Sequence, residues 1–250
     1  MTLKSMRGCW RCTAAWGTCA SGITDMAKSL VTLTIGQSPR SDILPLLRQH
    51  LPDAVTDHAG LLDGLSAADI AVQYAPAAGE AVLVSRLQSG EQVRLAAPKV
   101  EQGLQRKISA LEQAGYDIIL LLCTGEFGTL STRRALLLEP DRIIPPLIRA
   151  LVQQQRVGIV VPVEEQIVEQ AGKWRQLPSP PCFAVASPYL ADEQTFAAAA
   201  RTLQAADVGL VVLDCIGYHQ QHRAALQSRL GVPVLLSNQL VARLAAELLG

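Results

Sequence analysis

Two apolar runs along the chain close with the same phrase. Ile118-Ile119-Leu120-Leu121-Leu122 leads into Cys123-Thr124-Gly125, and Leu210-Val211-Val212-Leu213 leads into Asp214-Cys215-Ile216-Gly217. Short unbroken apolar runs halted by a glycine have the pattern of parallel strands covered on both faces. In an open parallel α/β sheet the ligand crevice lies beyond the carboxyl ends of the strands, so each thiol is predicted where small molecules bind. The phrase returns 92 residues on. That interval predicts two similar lobes, each presenting one sulfur to a shared cleft.

The remaining elements alternate in the same rhythm. Leu30 to Gly36 reads as a strand halted by glycine, with a loop through Arg40 and a helix capped by Ser41, because Pro45 is tolerated only near a helix start. Two runs between Ala81 and Ala97 flank Ser89-Gly90 and predict an inserted antiparallel hairpin. A helix opens at Pro98 with Val100, Leu104, Ile108 and Leu111 on one face, and Gly115 stops it. Residues 131–138 look helical up to Pro140, and another helix is expected from Pro145-Pro146 to about Gln155. Strands are then predicted at 157–163, 183–187 and 232–236, beside the run that ends at Cys215. Helices are predicted at 164–173, 192–204 and 219–230, with a terminal helix capped by Ser237 or Asn238. Strands alternating with helices imply an α/β fold with mainly parallel sheets and right-handed crossovers.

Composition narrows the class. The 250 residues are 49% hydrophobic and 18% charged, enough to bury a core in one or two domains. Basic and acidic residues balance at 22 each without a basic stripe, which argues against nucleic acid as partner and for a small molecule. No apolar stretch approaches the roughly 20 residues that span a bilayer, and the first 25 residues lack the apolar core of a secretory signal. A cytoplasmic protein with mostly reduced cysteines is expected. Cys9, Cys12 and Cys19 cluster, but three thiols without a nearby histidine do not complete a zinc site, so residues 1–26 are expected to be a flexible extension and no metal is expected.

Cys123 and Cys215 are the candidate catalytic residues. An unpaired cysteine is often a small core hydrophobe, and Cys182 is read that way. Two in matching phrases point to function. A thiol near a helix N-terminus would have a depressed pKa, and the turn amides could hold a carboxylate or an enolate oxygen. Ser38, Arg40, Thr124, Gly125, Ile216, Gly217 and Tyr218 are the candidate substrate-binding residues, with Arg40 suited to clamp a carboxylate. His219 and His222 read as a solvated helix start, with His219 a further cleft candidate. Glu164, Glu165 and Lys173 read as helix surface, and Asp214 as a group that orients a neighbour or caps backbone.

Four phrases carry a resemblance: 34–40 (Thr-Ile-Gly-Gln-Ser-Pro-Arg), 161–166 (Val-Pro-Val-Glu-Glu-Gln), 213–219 (Leu-Asp-Cys-Ile-Gly-Tyr-His) and 233–238 (Pro-Val-Leu-Leu-Ser-Asn). They resemble the AroM family, which is similar in plan to the aspartate/glutamate racemase superfamily, with its hydantoin racemases, maleate isomerases and arylmalonate decarboxylases. The resemblance implies two pseudo-symmetric α/β lobes with the site in the cleft between them. Residues 27–150 with 238–250 would form the first lobe, and residues 151–237 the second. It also implies cofactor-independent chemistry in which one cysteine removes a proton next to a carboxylate and the other returns one from the opposite face.

A racemase- or isomerase-like enzyme for a small carboxylate is therefore expected, linked by the family label to aromatic amino-acid biosynthesis, with a homodimer left open. Asn-Thr is usual after the first cysteine where Thr124-Gly125 stands, and Thr is usual where Ile216 stands, so two alternatives remain. One is a catalytically silent protein that binds an aromatic-pathway metabolite. The other is a single-cysteine isomerase or decarboxylase.

Overall fold

The computed structural model describes residues 28–52, 56–190 and 193–250. The Cys9, Cys12 and Cys19 cluster, and the extension as a whole, lie outside the described residues. Strand β1 (Leu30–Thr34) is followed by α1 (Leu44–Leu47), β2 (Thr56–Gly60) and α2 (Ala67–Tyr74). The hairpin β3 (Val82–Arg86) and β4 (Gln92–Ala96) comes next, then α3 (Ala97–Gln113), β5 (Ile118–Leu122), β6 (Leu136–Leu138) and α4 (Pro140–Leu151). The second half runs β7 (Arg156–Val161), α5 (Gln166–Lys173), β8 (Cys182–Val185), α6 (Glu193–Ala205), β9 (Val208–Leu213), α7 (Gln220–Leu230), β10 (Val234–Leu236) and α8 (Ser237–Leu249).

Two four-stranded parallel sheets result, ordered β2-β1-β5-β6 and β8-β7-β9-β10. Each half thus repeats one order, with its first strand between its second and third. The chain leaves the first strand toward one side and returns on the other, so the crevice at the carboxyl ends of first and third strands is a topological switch point. Cys123 follows β5 and Cys215 follows β9, the third strand of each sheet. One apolar core runs through both halves: Ile118 and Leu120 of β5 and Val157 and Ile159 of β7 share it with Ile144 and Ile148 of α4 and Val241 and Ala245 of α8. Helix α8 also touches α1, α4 and β5.

The structure corrects several expectations. Residues 131–138 are not helical. The Glu112 carboxylate accepts from the amides of Arg133, Arg134 and Ala135, which removes those donors from any helix, and Leu136–Leu138 pairs with β5. Pro145 and Pro146 lie inside α4, whose first residue is Pro140. The backbone bonds those prolines cannot make are outweighed by the buried Ile144 and Ile148 face. Ser41 caps nothing, since the Arg40 carbonyl accepts from Ile43 and Leu44 and shortens α1 to four residues. Ser237 and Asn238 instead donate to the carbonyls of Leu213, Ile216 and Tyr218, pinning the end of β9.

Lys173 is the largest departure, because it is buried rather than on a helix surface. Its Nζ donates to the Thr124 carbonyl (2.7 Å) and to both carboxylate oxygens of Asp214 (3.0 and 2.8 Å), while Trp174 Nε1 donates to Asp214 Oδ2 (3.0 Å). The Thr124 hydroxyl completes the tie by donating to the Asp214 carbonyl at 3.1 Å. These bonds join the turn after β5 to the turn after β9.

Asp141 Oδ1 lies 3.8 Å from Lys173 Nζ and makes no hydrogen bond. Burial pushes its pKa up to about 6; Lys173 opposes the rise, whereas Glu126, Asp214 and Glu139 add to it. A carboxyl raised in the folded state favours folding when protonated. That contribution is complete below about pH 4 and is lost as pH climbs through about 6. Asp141→Asn, neutral at every pH, is therefore expected to melt higher than the parent at pH 8 by on the order of 2 kcal/mol, with the gap closing toward pH 4 in a series of melting curves.

Candidate active site

Strand geometry brings both thiols to one place. Cys123 and Cys215 are buried and line a single small cavity at the strand ends, together with Ile35, Arg40, Leu122, Thr124, Gly125, Asp214 and Ile216. The hairpin adds Leu83, Val84 and Ser85, helix α5 adds Gln166 and Gln170, and the segment after β8 adds Tyr189. The void measures about 20 Å³, room for about one water molecule.

The repeated phrase folds into a repeated turn. Gly125 N–H donates to Cys123 Sγ at 3.4 Å, and Gly217 N–H donates to Cys215 Sγ at 3.4 Å. Neither thiol stands at a helix N-terminus, contrary to expectation. An irregular segment follows Cys123, and α7 begins only at Gln220. Burial pushes the Cys215 thiol pKa up, while the Tyr189 hydroxyl, 3.5 Å from its sulfur, the Gly217 amide and Arg40 pull it down.

Arg40 is buried, and its fork is already engaged: Nε and Nη2 donate to the Asp42 carboxylate at 2.8 and 2.6 Å. Burial would lower its pKa, but the Asp42 bond and charge, with Tyr189, raise it above the usual value, so the guanidinium stays charged. Its carbon stands 5.9 Å from the Tyr189 ring centre.

Six predicted residues meet at the cavity: Cys123, Cys215, Arg40, Thr124, Gly125 and Ile216. Three do not line it. Ser38 is turned away, with its amide and hydroxyl donating to Asp63. Tyr218 is a core residue whose hydroxyl donates to the Ala186 carbonyl at 2.7 Å. Gly217 acts from beneath, since a Cβ there would meet the Tyr189 ring at 2.6 Å. His222 is stacked on Phe196 and His219 rather than solvated; burial, then His219, pulls its pKa down to about 4. Cys182 packs against the apolar cluster of the second half, as expected.

Tyr189, Ser85 and Gln170 carry no motif in the sequence, and Gln166 stands there only as the end of the 161–166 phrase, without a site role. The glycines were the available signal for two of them. Gly217 makes room for Tyr189, and Gly36 makes room for Ser85, whose Oγ would stand 2.5 Å from an added Cβ. Gly125 likewise admits Leu83. Gly217→Ala is expected to cost about 1–3 kcal/mol in urea unfolding and to speed alkylation of Cys215 by displacing the tyrosine above it. Gly128→Ala, with nothing within 4 Å of the added carbon, should change neither.

No group of three or more histidine, cysteine or acidic side chains placed to hold a metal occurs among the described residues, and no helix among them is long and apolar enough to cross a membrane. No curated protein matches the chain in sequence. Solved structures match in fold. Allantoin racemase from Klebsiella pneumoniae superposes with a TM-score of 0.60 at 15% identity, covering 88% of this chain and 87% of that one. Glutamate racemase from Francisella tularensis, in complex with D-glutamate, gives 0.56 at 12% identity over 89% and 81%. An arylmalonate decarboxylase gives 0.51 at 14% identity over 88% and 92%. At such identities the likeness is one of fold, a two-sheet α/β architecture that racemases and a decarboxylase share. Residues 30–249 match the family described as AroM protein, and the chain belongs to that family.

Proposed function

We propose that the protein is a cofactor-independent racemase- or isomerase-like enzyme acting on a small carboxylate, with Cys123 and Cys215 as its acid/base pair. One observation carries this reading: two identical thiol turns, one from each sheet, line one cavity. The division into a lobe of residues 27–150 with 238–250 and a lobe of residues 151–237, with the site in the cleft between, belongs to the same proposal. The racemase fold of the structural neighbours and the carboxylate in the glutamate racemase complex are consistent with it.

The chemistry follows from two groups on opposite sides of one carbon. A thiolate takes the proton next to the carboxyl group, the C–H electron pair moves into the carboxyl oxygens as an enolate, and the facing thiol delivers its proton to the other side of the carbon. Buried Cys215, held in the protonated form, is the donor in the resting state. Arg40 supplies the cation for the substrate carboxylate through Nη1, which Asp42 does not engage. The Gly125 and Gly217 amides, which donate to the two sulfurs, would stabilise thiolate charge as it forms. Reduced thiols of this kind fit the cytoplasm.

Incubation of the full chain with a panel of chiral carboxylates in heavy water provides the test, read by mass spectrometry of the α-position. Deuterium uptake is expected with at least one acid, and Cys123→Ala and Cys215→Ala should each slow it by about 10²–10⁴-fold. Activity surviving in one of the two variants would point to single-thiol chemistry. Saturable binding without exchange, indifferent to alkylation of both thiols, would replace the enzyme with a metabolite-binding protein.

A further inference from the structure

Two side chains in the cavity wall are buried without partners. Ser85 Oγ on β3 and Gln170 Oε1 on α5 each make no hydrogen bond, although their residues are only 1% and 3% exposed. Leaving such a group unpaired costs about 1–3 kcal/mol, and an apolar residue of similar size would avoid the cost. Both atoms belong to residues lining the same one-water void. A void of that size, walled in part by two residues with orphaned groups, has the dimensions of a hydroxyl.

We propose that Ser85 and Gln170 form a polar subsite that takes a hydroxyl on the ligand, making the substrate a small hydroxy-carboxylate. This rests on the carboxylate reading of the same cavity and adds the second functional group. Charge selects the hydroxyl over an amine. A buried ammonium needs a carboxylate partner, and the carboxylate lining the cavity, Asp214, is engaged by Lys173, as the nearby Asp42 is by Arg40. Ser85 and Gln170 are neutral and can serve a neutral O–H, which takes the place of one water without leaving a charge unpaired.

The subsite is assembled from two directions. Gln170 rides on the helix that carries Lys173, so the bonds to Thr124 and Asp214 hold its position. Ser85 rides on the hairpin, which must lift because the void admits nothing larger than water. An ion pair joins the hairpin to the second half, Arg94–Glu165 at 2.9 Å; it is exposed on both sides and worth at most about 1 kcal/mol. Closing the hairpin thus completes the hydroxyl contact.

Matched probes test the subsite on the full chain. Propionate, lactate and alanine, and phenylacetate, mandelate and phenylglycine, differ only at the α-substituent, and calorimetry reads their affinities. In at least one series the hydroxy acid should bind about tenfold more tightly than the unsubstituted acid and the amino acid. Gln170→Leu should erase that advantage while leaving the unsubstituted acid within about twofold. Ser85→Ala should do the same, and it carries the test should Gln170→Leu fail to fold. Equal binding of unsubstituted and hydroxy acids would overturn the subsite and leave the carboxylate reading standing. Tightest binding of the amino acid would overturn the hydroxyl assignment. No binding by any of the six would overturn both.

Discussion

Everything at the strand ends depends on one buried ammonium. Lys173 Nζ is shared between the Thr124 carbonyl and the Asp214 carboxylate, the residues next to Cys123 and Cys215. Removing that charge from water is costly, and the cost is met only because several acceptors converge on it and Trp174 completes the carboxylate. Ion pairs of this kind add little net stability but tolerate few alternative geometries. Their consequence here is positional: the backbone beside one sulfur is fixed relative to the backbone beside the other, although the two turns come from different sheets.

A second constraint acts from above. The hairpin lies so close over the strand ends that Gly36 and Gly125 have no room for a side chain, and Tyr189 lies equally close over Gly217. Burial raises the Cys215 pKa in this closed arrangement. A thiol that keeps its proton is suited to donate it, and a preformed thiolate would be expensive where so little water can solvate it. In the proposed reaction, closure would favour the acid role at Cys215 and shield a carbanion from solvent. The proposed subsite assigns the opening to the hairpin, whose ion pair to the second half is exposed and weak.

The central strands are legible because a strand buried on both faces must be largely apolar: β5 and β9 carry no polar side chain, β7 only Arg156 at its exposed start, and β1 only two threonines, which suit a strand. Edge strands obey no such rule. β2 reads Thr-Asp-His-Ala-Gly and sits at a sheet edge, so nothing in its residues marks it, and β6 is a three-leucine segment with helix-favouring composition. The capping box of Ser66 and Asp69 did announce α2, but only to a reader looking for Ser-x-x-Asp before an apolar turn.

The site divides along a similar line. Residues adjacent to a strand end, such as Arg40, Thr124 and Ile216, reach the cavity by sequence position alone. Gln170, Ser85 and Tyr189 reach it, and Lys173 reaches Thr124 and Asp214 in its wall, only through packing of distant elements, and each resembles ordinary surface when read locally. Their partners held the missing information. An Asp inside an apolar phrase, as Asp214 stands before Cys215, must be paired once its strand is buried, and no cation adjoins it in sequence. The burial of that strand therefore requires a distant lysine or arginine to be buried with it, and an α5 that carries Lys173 inward necessarily brings Gln170, one helical turn earlier, to the same cavity.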